Sequence, residues 1–251
     1  MTLDVAFSPY ELAPGEVSGR TVVVVDVLRA TTTICAALYH GARAVIVAED
    51  AGEATRIAQA VGPRDTLLAG ERQGVRIDGF DLGNSPREMS PATVGGRTVV
   101  LTTTNGTPAL LASAGAREVI VGAAVNFGAV AARIRAAYQQ DGDLLIVCAG
   151  RHRSFGLDDA YLAGRFAVAA LGGPRHRKGL NDAALGALAL ATHYGGAVER
   201  IFAFSSAGRD LRRLGFHDDI VAAAQLDSAP VLPLYHDRRV TLAAPDLPSA
   251  A

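Results

Sequence analysis

Short β-branched runs alternate with alanine-rich segments along most of the chain. Residues 22–26, 44–48, 66–69, 98–102, 118–121, 144–148 and 201–204 read as strands. Residues 31–40, 51–61, 107–114, 128–139, 158–170, 181–193 and 207–214 carry the composition and spacing of helices. Continuous apolar strands separated by helices predict a layered α/β/α fold around a largely parallel sheet. The unit spans residues 1–251, either as one compact body or as two packed α/β lobes meeting near residues 139–142. There "AAYQQDGD" reads as an exposed turn. "LGGPRHRKG" (171–179) reads as another exposed loop, and the tail after Pro245 as frayed.

One arrangement recurs three times. "VVVVDVLRATTT", "RTVVLTTTNGT" and "LLIVCAGRHRSFGLDD" each pass from an apolar strand through a polar loop into a helix start. Ligands of open α/β sheets bind beyond the carboxyl ends of the strands. With right-handed crossovers, every strand's C-terminal end falls along one edge. Asp26 then stands at the mouth of the sheet, and Thr31–Thr33 cap the following helix.

Composition narrows the classes. With 49% hydrophobic and 20% charged residues the chain can bury a sizeable core. A formal net charge of -1 argues against a surface built for nucleic acid. No apolar run approaches the ~18 residues that span a bilayer, and the acids and proline near the start do not suit a signal peptide. Cys35 and Cys148 lack the spacing of a disulfide framework or zinc site, which fits a reduced, cytoplasmic setting. The apolar composition permits a homo-oligomer without demanding one.

Four stretches carry candidate chemistry. Asp26, at a strand end and followed by hydroxyls, suits a magnesium ligand or a phosphoryl acceptor; it equally suits a helix cap or a partner for Arg29. Haloacid-dehalogenase phosphatases place a second acid two residues on, where this chain has Leu28. In "TTTNGT", Thr103, Thr104, Asn105 and Gly106 suggest an amide-rich anion cradle or a helix cap. "AGERQGVRIDGFDLGNSPREMS" (69–90) is a long ordered loop offering Glu71, Asp81 and Asn84 as oxygen donors and Arg72 as an anion fork, or a loop closed by its own salt bridges. "CAGRHRSFGLDDAYLAG" (148–164) places Arg151, His152 and Arg153 past a strand and Asp158–Asp159 at a helix start. "HDDI" (217–220) reads as a helix start whose Asp218 and Asp219 satisfy first-turn amides. The histidines, His176 among them, show no metal-ligand spacing. No Gly-x-Gly-x-x-Gly follows a strand and no Gly-x-Ser-x-Gly elbow occurs, so hydride transfer and serine-nucleophile chemistry are poorly supported.

In type, order and spacing, "VVVVDVLRATTT", "GERQGVRIDGFDLGNSP", "VVLTTTNGT" and "CAGRHRSFGLDDAYLAG" resemble the 2-phosphosulfolactate phosphatase family. The resemblance runs from about Val22 to the "HDDI" region. It implies an α/β, magnesium-dependent hydrolase that releases phosphate from 2-phosphosulfolactate, a step of coenzyme M biosynthesis in methanogens. Two departures are modest: Gln73 stands where a glycine is expected, and Asp158 where a glutamate is. On this reading Asp26, with Glu71 and Asp81 or Asp158, holds Mg²⁺. Arg29 and the Thr103–Gly106 segment, Asn105 included, stabilise the transferring phosphoryl group. Arg72, Arg151 or Arg153 reads the sulfonate and carboxylate of a small anionic substrate, and Asn84 shapes the pocket. Two other readings stand beside it. One is a non-catalytic binder of an anionic metabolite; the other is a haloacid-dehalogenase-like phosphatase with Asp26 as nucleophile.

Overall fold

A computed structural model describes residues 1–175 and 178–243. His176 and the tail after Pro245 lie outside the described residues. The strands are β1 (Thr2–Ala6), β2 (Thr21–Val25), β3 (Ala44–Val47), β4 (Thr66–Arg72), β5 (Val75–Arg76), β6 (Thr98–Thr102), β7 (Glu118–Gly122), β8 (Asp143–Cys148), β9 (Pro233–His236) and β10 (Arg239–Leu242). The helices are α1 (Ala30–Tyr39), α2 (Ala51–Val61), α3 (Pro91–Val94), α4 (Gly106–Ala112), α5 (Phe127–Asp141), α6 (Leu157–Leu171), α7 (Asp182–Tyr194), α8 (Val198–Phe204), α9 (Ser206–Arg213) and α10 (His217–Ala224).

Among the described residues the strands form one sheet in the order β1-β8-β2-β7-β9-β10-β3-β6-β4-β5. Strands β1, β8, β2 and β7 are mutually parallel, as are β3, β6 and β4. The hairpin β9–β10 joins the two groups through antiparallel pairs at both borders. The two parallel groups therefore run in opposite senses across the hairpin, yet the segments that end β2, β4, β6 and β8 all reach one cavity. Residues 139–141 are the end of α5 and not a separate turn, and Gly142 (φ 67°) alone leads into β8, which enters the first group between β1 and β2.

The pleat explains the layers. Val23 and Val25 of β2 join the cluster beneath α5, α6, α7 and α8, while Val22 and Val24 join the one beneath α1 and α4. Successive side chains point to opposite faces, so a strand covered on both sides is apolar on both, as Val22–Val25 are. A smaller cluster seats Ala54 and Ala58 of α2 against Ile46 and Val100.

Several elements differ from the sequence reading, which also lacks the short β5 and α3. Residues 201–204 belong to helix α8, where Val198, Ile201 and Phe202 are buried at helical spacing; a four-residue apolar run does not distinguish strand from helix. The edge strand β1 joins the sheet through alternating Leu3 and Val5. Hairpin β9–β10 turns on Asp237 (φ 47°) and Arg238 (φ 62°). Two left-handed residues suit a two-residue hairpin turn, but the usual Asn-Gly or Asp-Gly signal is missing.

Candidate active site

A cavity of about 410 Å³ opens where β2, β4, β6 and β8 end. Asp26, Glu71 and Asn105, which come from separate loops, all line it. So do Arg29, Asn84, Thr103, Thr104, Arg151 and Asp158.

Asp26 leaves β2 directly into the turn before α1. Its Oδ1 accepts from the Ala30 amide at 3.2 Å, and its carbonyl receives both the Thr31 amide and the Thr31 hydroxyl. The threonines do not cap α1, as the sequence suggests they would. Thr32 Oγ1 donates to the Val27 carbonyl at 2.8 Å, and Thr33 Oγ1 to the Asn84 carbonyl at 3.0 Å. They lock the site loop and tie it to the 69–90 segment. Gly106 is absent from the lining yet shapes it: a Cβ there would lie 2.8 Å from Asp26 Oδ2 and 2.5 Å from Ala30 Cβ, so only glycine lets α4 start this close.

The carboxylates divide into two kinds. Glu71 Oε1 accepts from the Thr104 amide and Oε2 from the Gly74 amide, each at 2.7 Å. Asp159 is built likewise, its oxygens accepting from Val27 at 2.9 Å and Gly150 at 3.0 Å. Both stitch one loop to another. Asp26 and Asp158 differ from these two: Asp26 Oδ1 takes the Ala30 amide of the turn that follows it, and Asp158 is drawn by the amides of its own helix start and by the Ser205 hydroxyl. Burial pushes Asp26 up to about 7, helped by the charges of Asp158 and Glu71 and moderated by the Ala30 amide and Arg29. Burial likewise lifts Asp158 to about 6, against the pull of the Asp158 and Asp159 amides, the Ser205 hydroxyl and Arg151. Asp159 is also raised, by burial and then by Asp158 and Asp26.

The anion cradle is partly filled by the protein itself. The Thr103 amide donates to Thr107 Oγ1 at 2.9 Å and the Thr107 amide to Thr103 Oγ1 at 3.0 Å, a reciprocal cap. With the Thr104 amide on Glu71, only Asn105 and Gly106 keep free amides in that turn, among the described residues.

Arg29 is held more firmly than its sequence position suggests. Its Nη1 donates to Asp219 Oδ2 at 2.7 Å and its Nη2 to the Gly74 carbonyl at 2.7 Å, and both members of the ion pair are 2% exposed. Its guanidinium also lies 4.4 Å from the centre of the Phe216 ring. Ser85 Oγ donates to the other Asp219 oxygen at 2.7 Å. "HDDI" does begin a helix, but Asp219 serves Arg29 and Ser85, and Asp218 pairs with exposed Arg87; neither caps α10.

Besides Gly106, three predicted site residues fall outside the lining. Arg72 bends back to the Glu71 carbonyl and Thr102 Oγ1. Asp81 accepts from the Leu68 amide at 2.8 Å and pins the loop to β4. Arg153 lies 4.0 Å from the centre of the Tyr10 ring. In their place α9 supplies Asp210 and Arg213, with Asp210 bonded to both Arg151 and Arg213. No motif announces these two in the sequence; an amphipathic helix with Arg and Asp on one side is common on any surface.

The chain matches the family model described as 2-phosphosulpholactate phosphatase over residues 6–238. A protein of Symbiobacterium thermophilum named probable 2-phosphosulfolactate phosphatase is 40% identical over 227 residues, covering 90% of this chain and 96% of the relative. One of the same name from Deinococcus radiodurans is 41% identical over 226 residues, covering 89% and 90%. Another from Clostridium novyi is 31% identical over 245 residues, covering 96% and 100%. No helix of the described residues is long and apolar enough to cross a membrane. Layered fold, strand-end cavity and near full-length likeness agree: the chain belongs to the 2-phosphosulpholactate phosphatase family.

Proposed function

We propose that the protein is a Mg²⁺-dependent phosphatase acting on 2-phosphosulfolactate, or on a closely related phosphorylated hydroxyacid, in the cytoplasm. The observation that carries this is the pair Asp26 and Asp158, buried in the floor of the cavity and both raised by burial, Asp26 also by the charges of Asp158 and Glu71. A divalent cation held by both would stabilise their charged forms. Among the described residues no three acidic, histidine or cysteine side chains converge to chelate an ion unaided. That suits Mg²⁺, which usually takes one or two carboxylates and fills its shell with water and substrate phosphate. Asp26 and Asp158 would hold it, because the oxygens of Glu71 and Asp159 already accept backbone amides.

When bound, the ion neutralises charge on the phosphoryl oxygens and favours attack at phosphorus. The chain's own groups do the rest. The free amides of Asn105 and Gly106, beside Asp26, receive equatorial phosphoryl oxygens. Arg29, fixed from two sides, adds positive potential without moving. Glu71 ties the 71–74 turn to the Thr104 loop and Asp159 ties the Val27 loop to the Gly150 loop, so that these donors are in place before substrate arrives. The acidic pair distinguishes this reading from a non-catalytic anion binder, which gains nothing from buried carboxylates facing its ligand.

Phosphate release from 2-phosphosulfolactate, measured with Mg²⁺ and again with excess EDTA, tests the reading. Release that depends on the metal is expected; no release under either condition overturns it. Turnover of a substrate made chiral at phosphorus with oxygen isotopes then separates two routes. Inversion at phosphorus means direct water attack, whereas retention means two displacements through a covalent aspartyl-phosphate.

A further inference from the structure

The charges around the cavity are unevenly balanced. Arg29 is matched one to one by Asp219 in a fully buried pair. In the wall built by the loop after β8 and by α9, a single carboxylate, Asp210, serves two guanidinium groups: Oδ2 accepts from Arg151 and Oδ1 from Arg213. The floor holds Asp26 and Asp158. Thus the wall formed by the loop after β8 and by α9 bears one positive charge in excess, while the floor is acidic.

Exposure points the same way. Arg151 and Asp210 are 26% and 30% exposed, and Arg213 is 76% exposed, so each can meet a ligand without a large rearrangement. Each arginine gives Asp210 one Nη2 and keeps further N–H donors in a planar fork. Asp210, bonded to both, holds the two forks side by side. A planar carboxylate or a sulfonate can bridge such a pair, taking one charge-assisted hydrogen bond from each.

We propose that Arg151 and Arg213 are specificity-determining residues that take an oxyanion group of the substrate other than its phosphate, and that Asp210 is the positioning residue that aligns them. This rests on the phosphatase reading, in which the phosphate lies against the floor. Neither Arg72 nor Arg153 shares the task, because neither reaches the cavity. The wall selects phosphomonoesters with an anionic tail over those with a neutral one.

Three phosphomonoesters test it: 2-phosphosulfolactate, 2-phospholactate with a carboxylate but no sulfonate, and glycerol 2-phosphate with a neutral tail. Arg213→Ala, on a mostly exposed side chain, is expected to lower the kcat/KM ratio of 2-phosphosulfolactate over glycerol 2-phosphate about tenfold or more, with the loss in KM, as for a lost charge-assisted contact. Arg151→Ala is expected to do the same. A parallel loss with 2-phospholactate assigns the seat to the carboxylate, and its absence there assigns it to the sulfonate. Asp210→Asn is expected to raise KM for the anionic substrates, and Asp210→Glu to restore part of the loss. An unchanged ratio in both arginine variants overturns the inference. A lower KM in Asp210→Asn overturns the positioning role, since Asp210 would then compete with the substrate. Calorimetric binding of sulfoacetate, which has both oxyanions and no phosphate, separates the two proposals. Weaker sulfoacetate binding in Arg151→Ala and Arg213→Ala supports the anionic wall even if no ester is hydrolysed. Undiminished binding in both counts against it even in an active enzyme.

Discussion

The two sides of the cavity use their carboxylates differently. On the β4–β6 side, Glu71 places both oxygens on backbone amides, and the neighbouring threonines bond to each other. On the β2–β8 side, Asp159 is clamped in the same way, but Asp26 takes one amide of its own turn and Asp158 the donors of its own helix start and Ser205, and burial raises both. A carboxylate with two amide donors is already stabilised where it stands, and moving it to a ligand forfeits those bonds. One buried beside another acid is destabilised in its charged form and gains by meeting a cation or a proton. Strand-end position is common to both kinds; free hydrogen-bonding capacity is not.

That contrast can be broken most sharply in catalysis. Asp26→Asn or Asp158→Asn is expected to lower kcat for Mg²⁺-dependent phosphate release by about 10²–10⁴-fold, the range for a group acting directly on the reaction. Glu71→Gln is expected to reduce activity much less. The outcome that would collapse the distinction is an equal loss in all three variants.

Next in size is the buried pair that anchors the loop from the other direction. Arg29→Ala leaves Asp219 charged and unpaired among buried groups, and is expected to destabilise the fold by about 3–5 kcal/mol. Urea denaturation reads this directly. Replacing Arg29 and Asp219 together by leucine is expected to cost less than Arg29→Ala alone.

A titration sharpens the comparison further. Asp26 is raised from its ordinary 3.8 to about 7, so between those values the native state holds a proton that the unfolded chain releases. In metal-free protein, the contribution of Asp26 to stability is therefore greatest at acid pH and is lost as pH rises from about 4 through 7. The expected loss is on the order of a few kcal/mol. Measured in EDTA, Tm of Asp26→Asn relative to wild type should rise with pH over that range, and Glu71→Gln should show no such trend. A difference between Asp26→Asn and wild type that does not change with pH would contradict the reading.

The smallest effects belong to residues that the sequence made prominent and the fold set aside. Arg153→Ala loses an exposed contact with Tyr10. It is expected to change stability by about 1 kcal/mol or less, with activity within about twofold. A large loss of activity in this variant would mean that the cavity extends past its present rim.

Much of this was legible before any coordinates. The β-branched runs had to be strands buried on both faces, because an apolar run without polar alternation has no side to give to water. The loops that follow three of them had to be the polar rim, since they concentrate the carboxylates, hydroxyls and guanidinium groups. Thus Asp26, Asp158, Asn105 and Arg151 could be named as neighbours although more than a hundred residues separate the first from the last.

Other features depended on partners distant in the chain. A hydrogen-bonding group advertises its chemistry in the sequence, but whether it is available depends on what the fold puts beside it. Glu71 and Asp81 look alike as oxygen donors until the amides of Thr104, Gly74 and Leu68 claim them. Asp219 looks like a helix-start acid until Arg29 arrives from the other end of the chain. The β9–β10 hairpin reverses the pairing sense of the sheet through a turn with no glycine to mark it. Local pattern is set by side chains within a few residues and by the period of the backbone, so the sequence determined the strands, the helices and the polar rim. Burial, charge compensation and the accounting of every amide are sums over the whole neighbourhood, and only the tertiary structure decided which polar groups of the rim remain free to react.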